Sequence, residues 1–234
     1  MKLLSLTVII FVNAACVSIE GSTEPHDPWE RYNRTVSNFN DSVDRRVLKP
    51  VAKAYQKVVP KPVNKAISNA FSNADDVIVL ANDILQLKVK QSISDLSRII
   101  YNTVFGLGGI FDVSTSMGLP KHQEDFGQTL AHWGVGSGPY FVLPLFGPST
   151  VRDSFGLATD FFVFDPAHLI DDLTTRASLF TLYFIDIRAE LLPAGDIVDE
   201  ASLDKYIFIR EAYMQRRKSL IHDGQSQDEA LDEL

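Results

Sequence analysis

From Phe126 to Val151 the chain runs 26 residues without one Asp, Glu, Lys or Arg. A stretch of that length is long enough to span a bilayer as a helix. It cannot be one helix. Gly127, Gly134, Gly136, Gly138 and Gly147, with Pro139, Pro144 and Pro148, remove stiffness and backbone donors where lipid requires every peptide group to be satisfied internally. The segment is therefore apolar, aromatic and irregular. Its place is under protein cover or in the interfacial zone of a membrane.

The chain begins MKLLSLTVIIFVNAAC: one Lys, an apolar run from Leu3 to Val12, then Ala14 and Ala15 directly before the one cysteine, Cys16. These flanks read as an export signal over residues 1–15. An unpaired thiol in an oxidising, exported compartment calls for a role. The arrangement resembles the lipobox of bacterial lipoproteins, in which the cysteine at the cleavage site is acylated. Asn13 departs from the apolar residue common three positions before it. Acyl chains hold a protein at a membrane at ~0.8 kcal/mol per buried methylene, and several make that effectively permanent. By the same resemblance, Val17 in place of the Asp of inner-membrane retention points to the outer membrane of a diderm bacterium. Residues 16–26 then form a lipidated linker. At the far end, residues 223–234 (DGQSQDEALDEL) carry five carboxylates and no cation, the composition of a disordered acidic tail. Loss of Lys2 takes the formal charge from -8 to -9, which disfavours nucleic acid and anionic lipid headgroups as partners found by bulk electrostatics.

Residues 27–222 suffice for one domain with a sizeable core. Asp27 and Pro28 read as a helix start, Asp as cap and Pro at the first helical position. Trp29, Tyr32, Val36, Phe39, Val43 and Val47 then recur at helical spacing, with an end expected near Pro50. That stripe either packs as core or lies in part against lipid. Further stripes follow at Val63, Ile67, Ala70 and Phe71, over Ala74 to Leu87, and at Ile93, Leu96, Ile100 and Val104, stopped by Gly106, Gly108 and Gly109. Thr150 with Asp153 predicts a capped start. Leu179, Leu182, Ala189 and Leu192 continue the pattern, and a last helix opens near Asp204. Only Tyr140 to Leu145 reads as extended, so the fold class is mainly α. Half of the aromatics, 12 of 24, fall between Phe126 and Phe184. Such a bias suits an interfacial belt or a well-filled core.

Familiar chemistry is missing. Neither GLGG (106–109) nor GVGSG (134–138) completes a nucleotide-binding glycine pattern. The histidines His26, His122, His132, His168 and His222 stand far apart, so the pattern offers no metal-ligating set and no cofactor. Ser149, His132 and Asp153 compose a triad only by selection, without a nucleophile-elbow motif. Glu124 and Asp125 are adjacent and read as a cap or ion-pair donors rather than paired catalytic acids. What Gly134, Gly136 and Gly138 do offer is backbone freedom, fit for a hinge or for tight turns.

Several separated motifs resemble one family: DPWERYNRTVSNFN (27–40), LKPVAKAYQKVVPKPV (48–63), NTVFGLGGIFDVSTSMGL (102–119), EDFGQTLAHWGVGSGPYFVLPLFGPSTVRD (124–153) and DKYIFIREAYMQRR (204–217). In this order they are similar to the MlaA, or VacJ, lipoproteins. The resemblance implies a ring-like helical lipoprotein lying in the inner leaflet of the outer membrane, on its periplasmic side, beside a trimeric porin. It implies passage of misplaced outer-leaflet phospholipid through a central channel to a soluble periplasmic carrier, with no bond made or broken and no catalytic residue. In that frame Cys16 is the lipidation site and Gly134, Gly136 and Gly138 form a gate that Asn38 and Phe39 help to hold. Tyr206, Arg210, Tyr213 and Arg217, spaced along one helix face, form a stacking or docking stripe. A lipid-anchored envelope hydrolase and a passive porin-tethering scaffold are the competing readings.

Overall fold

The computed structural model describes residues 27–224, and its first helix already departs from a local rule. Helix α1 (Glu30–Val43) does not end near Pro50 but passes through a π-helical turn (Asp44–Leu48) into α2 (Lys49–Val58). Proline has no N–H to donate and its ring presses on the carbonyl four residues back. The wide turn directly before it, closed by the Lys49 N–H on the Asp44 carbonyl, makes room for both defects. The start differs as well. Asp27 does not cap α1, whose N-cap is Trp29. Its carboxylate is buried instead, accepting hydrogen bonds from Asn33 (2.7 Å), Arg210 (3.0 Å) and the Tyr206 hydroxyl.

The second and third stripes merge into α3 (Lys61–Leu85), which carries Pro62 in its first turn and packs on α4 (Val89–Val104). Their short connection turns at Leu87, in the left-handed region at φ 61°. The charge-free stretch becomes a short helix, a loop and a hairpin. After α5 (Val113–Ser116) come α6 (Phe126–His132), an irregular segment, and strands β1 (Tyr140–Leu143) and β2 (Gly147–Thr150). The strands pair antiparallel from Tyr140 opposite Thr150 to Leu143 opposite Gly147. Thr150 caps α7 (Val151–Thr159) by accepting from the Asp153 N–H at 3.1 Å. A second π segment (Asp160–Phe164) and a 3-10 turn (Pro166–Leu169) lead to α8 (Leu173–Glu190), α9 (Leu192–Ala201) and α10 (Lys205–Ile221), the last capped by Asp204. Among the described residues no helix is long and apolar enough to cross a membrane.

The polarity of this helical body is inverted. Among the described residues, seven apolar side chains are buried against twenty polar or charged ones. The apolar core reduces to two small clusters, Ala52 with Ala189 and Leu192, and Tyr140 with Val142 and Tyr206. On α4 the stripe faces outward, Ile93 being 61% and Val104 62% exposed, while Asp95, Arg98 and Asn102 point in. There they serve backbone: Arg98 donates to the Leu119 carbonyl (2.7 Å), and the Asn102 side-chain oxygen accepts from the Val113 and Ser114 N–H groups. The α1 stripe is likewise largely outside. Trp29, Tyr32, Phe39 and Val47 are exposed, Val36 and Val43 half-buried, and the inward residue is Asn33. Exposed apolar surface on this scale marks an interaction or membrane site.

Candidate functional site

Two asparagines two turns apart on α1 hold the hairpin. Asn33 donates to the Tyr140 carbonyl (3.2 Å) and accepts from the Val142 N–H (2.8 Å). Asn40 donates to the Leu143 carbonyl (2.9 Å) and accepts from the Leu145 N–H (2.8 Å). Each primary amide presents the same donor and acceptor as a peptide group, so α1 closes the free edge of a two-stranded ribbon as a third strand would. Asn38 and Phe39 are both exposed, and among the described residues neither side chain bonds to residues 134–138.

The glycine segment between α6 and β1 is pinned at its flanks and open in its middle. The Arg152 guanidinium donates to the Val135 carbonyl (3.3 Å) and the Arg152 N–H to the Ser137 carbonyl (3.1 Å). A side chain at Gly136 would meet nothing within 4 Å. Gly134 and Gly138 adopt φ of 85° and 66°, and a Cβ at Gly138 would press on Val151 at 3.1 Å. Two of the three glycines are therefore required by backbone conformation, and Gly136 is not.

The α10 stripe faces inward. Tyr206 and Arg210 join Asp27, and the Arg34 guanidinium stacks 4.5 Å from the Tyr206 ring centroid. Tyr213 donates to Asp153 (2.7 Å), and Arg217 bridges Asp125 and Asp153. Burial pushes the Asp153 carboxyl up, but Arg217, the Tyr213 hydroxyl and Arg152 outweigh it and hold it below the usual range. This cluster ties α10 to the N-terminal cap of α6 and the first turn of α7. Where those two helices cross, Gly156 lies against Gly127, and a Cβ on Gly156 would come within 2.3 Å of the Gly127 nitrogen.

An amphipathic hollow lies between α3 and α8. Its apolar part, about 280 Å³, is lined by Phe71, Ala74, Ile78, Ile170, Leu179 and Phe180, with the Phe71 and Tyr183 rings edge-on at 5.1 Å. Burial, then the charges of Asp75, Asp165 and Glu190, push Tyr183 up to about 12, so its hydroxyl stays neutral. Through Phe71, Asp75 and Tyr183 the hollow continues into a polar part with Ser68, Ser72, Asp186 and Glu190. Asp186 is itself a joint, accepting from Tyr55 (3.0 Å), Asn64 (3.0 Å) and Ser68 (2.8 Å), and so links α2, α3 and α8. A second mixed hollow beside the hairpin is lined by Val142, Leu145 and Phe146 together with Arg188 and Lys205. Each hollow, about 280 Å³, falls just short of the lower bound of ligand pockets, about 300 Å³, and fits a segment of an amphiphile.

No triad forms from Ser149, His132 and Asp153. The Ser149 hydroxyl bonds to Ser154 (2.7 Å) and the Thr150 carbonyl, and Asp153 is taken by Arg152, Arg217 and Tyr213. Glu124 and Asp125 diverge, Glu124 to Lys88 and Gln86, Asp125 to Arg217 and the cap of α6. Cys16, the signal at 1–15, the remainder of the linker and residues 225–234 lie outside the described residues.

The comparisons agree with this architecture. The model of the MlaA lipoprotein family matches residues 25–220. The intermembrane phospholipid transport system lipoprotein MlaA of Escherichia coli is 38% identical over 206 residues, covering 85% of this chain and 80% of that protein. Its namesake in Haemophilus influenzae is 32% identical over 205 residues, covering 86% and 82%. A solved structure described as the structural basis for maintenance of bacterial outer membrane lipid asymmetry superposes with a TM-score of 0.73 at 35% identity, covering 83% of this chain and 98% of that one. A match across nearly the whole helical body, in sequence and in fold, has one meaning: the chain belongs to the MlaA lipoprotein family.

Proposed function

We propose that this protein is the lipid-anchored outer-membrane component of an intermembrane phospholipid transport system. It takes mislocalised phospholipid from the outer leaflet, passes it through its interior to a soluble periplasmic carrier, and so maintains lipid asymmetry. The family membership supports the system, and the inverted polarity carries the physical case. Apolar side chains left in water forgo about 1.5–3 kcal/mol each, and 36 large ones are exposed among the described residues. A bilayer leaflet removes that cost for a body in which, among the described residues, no helix is long and apolar enough to cross a membrane.

In this reading acylated Cys16 holds the chain at the membrane, and the apolar belt sinks it sideways into the inner leaflet beside a porin. The amphipathic hollows receive the cargo, tails against Phe71, Ile78 and Phe180, headgroup against the polar lining. The segment around Gly136 is the movable element, between flanks that Arg152 pins. Transfer needs no covalent step.

Two measurements test it. Trp29 and Trp133 are both exposed, so in vesicles containing lipids brominated along the acyl chain their fluorescence should be quenched. Labelled phospholipid should also move from such vesicles to the soluble carrier only when the lipidated protein is present. Unquenched tryptophans would overturn the embedding, and absence of transfer would overturn the transport role.

A further inference from the structure

The histidines are far apart in sequence, yet folding brings His122 against two carboxylates. Its Nδ1 lies 2.9 Å from both oxygens of Asp95. Asp83 completes the group, and one donor atom from each of the three residues lies within 4.8 Å of the others. Asp83 comes from the end of α3, Asp95 from α4, and His122 from the segment entering α6. Both aspartates are 0% exposed, and neither Asp83 oxygen has a hydrogen-bond donor.

Two facing buried carboxylates, of which only Asp95 has a donor, in His122, are costly unless a cation or a proton neutralises them. The nearby cations are committed elsewhere. Lys88 bonds to Glu124 (2.8 Å) and Asp223 (2.6 Å), and Arg98 lies against Asp76 and Asp112. Glu124, buried beside the group, adds negative charge whose partners are Lys88 and Gln86. The unmet demand is thus for positive charge, at a point where three elements converge.

We infer that Asp83, Asp95 and His122 form a binding site for one divalent transition-metal cation of the Zn²⁺ or Mn²⁺ class. Two oxygens and one imidazole nitrogen are a mixed donor set that suits such ions better than Mg²⁺ or Ca²⁺, which favour oxygen throughout. The 2.9 Å between His122 Nδ1 and the Asp95 oxygens is a hydrogen-bond separation, shorter than the about 3.3 Å between donors of a tetrahedral site with bonds of about 2.0–2.1 Å, so a bound ion would part the two slightly. Closure then requires Asp83 to move inward, and no hydrogen-bond donor holds its oxygens back. His122 lines a surface cleft with Ile93, Ser94, Leu119 and Pro120, which supplies an entry path and room for a water ligand. The ion pins the α3–α4 turn to the strand of chain that leads into α6 and the glycine segment.

The test uses lipidated, detergent-solubilised full-length mature protein without a polyhistidine tag, stripped with EDTA and titrated with Zn²⁺, Mn²⁺, Mg²⁺ or Ca²⁺. Elemental analysis should find one Zn or Mn per chain. At a hundredfold excess over Kd the Tm should rise about 5–10 °C. Asp83→Asn and His122→Gln, each checked for native circular dichroism, should lose at least tenfold in affinity. No stoichiometric binding by the wild type, equal binding in both folded variants, or equal response to Mg²⁺ overturns the inference. A higher Tm of Asp83→Asn with no metal bound by wild type identifies a proton-sharing carboxyl pair instead.

Discussion

Replacing Asn33 by Ala tests whether α1 holds the hairpin by amide mimicry. Asn33 is 0% exposed and makes three side-chain hydrogen bonds, to Asp27, to the Tyr140 carbonyl and from the Val142 N–H. Asp27 keeps Tyr206 and Arg210 after the change, but the two backbone groups lose their side-chain partner. Each buried group left unpaired costs about 1–3 kcal/mol, so the loss is about 2–6 kcal/mol. Against a total stability of about 5–15 kcal/mol, and at about 2–4 °C per kcal/mol for a chain of this size, Tm falls by roughly 5–20 °C. Asn38→Ala is the control. That side chain is exposed and makes no hydrogen bond among the described residues, so its effect should stay within about 0.5 kcal/mol. The assay is thermal unfolding in one detergent, followed by circular dichroism. An Asn33→Ala Tm within 2 °C of wild type, or a larger fall for Asn38→Ala, refutes the reasoning.

Gly156→Ala should block native folding, because its Cβ would sit inside the contact distance of the Gly127 backbone; normal yield and Tm would contradict the close crossing of α6 and α7. Gly136→Val, where an added Cβ meets nothing within 4 Å, should leave Tm within about 2 °C while slowing phospholipid transfer, and full transfer would remove the segment as gate. Burial pushes the Asp160 carboxyl up to about 6, against opposing hydrogen bonds from the Phe126 N–H and Asn82. Because this lies above the unfolded value near 3.9, the native state binds the extra proton. Stability therefore falls as pH rises from about 4 to 6, by at most about 3 kcal/mol. Asp160→Asn should flatten that slope, and parallel pH profiles for the two proteins would count against it.

Much of the helical plan was legible because it rests on local rules. Amphipathic spacing located α1, α3 and α4, and Thr150 and Asp204 marked the caps of α7 and α10. Where a local rule failed, a neighbour had intervened. Pro50 does not end its helix because a π turn precedes it, and Asp27 does not cap because Tyr206 and Arg210, far along the chain, claim its carboxylate. Asn33 and Asn40 sat in plain view on the polar face of α1, but their use depends on a ribbon edge more than a hundred residues away.

By itself, the sequence determined that this chain is a set of two-faced helices interrupted by an uncharged segment unable to form one helix. Periodicity separates the two faces; it does not say which solvent each one meets. That choice belonged to the tertiary structure, which turned Ile93 and Val104 outward and drew Asp95, Arg98 and Asn102 in. The same convergence placed Asp83 and Asp95 beside His122. Spacing along a chain encodes local geometry, whereas the neutralisation of a buried charge is a property of the three-dimensional neighbourhood.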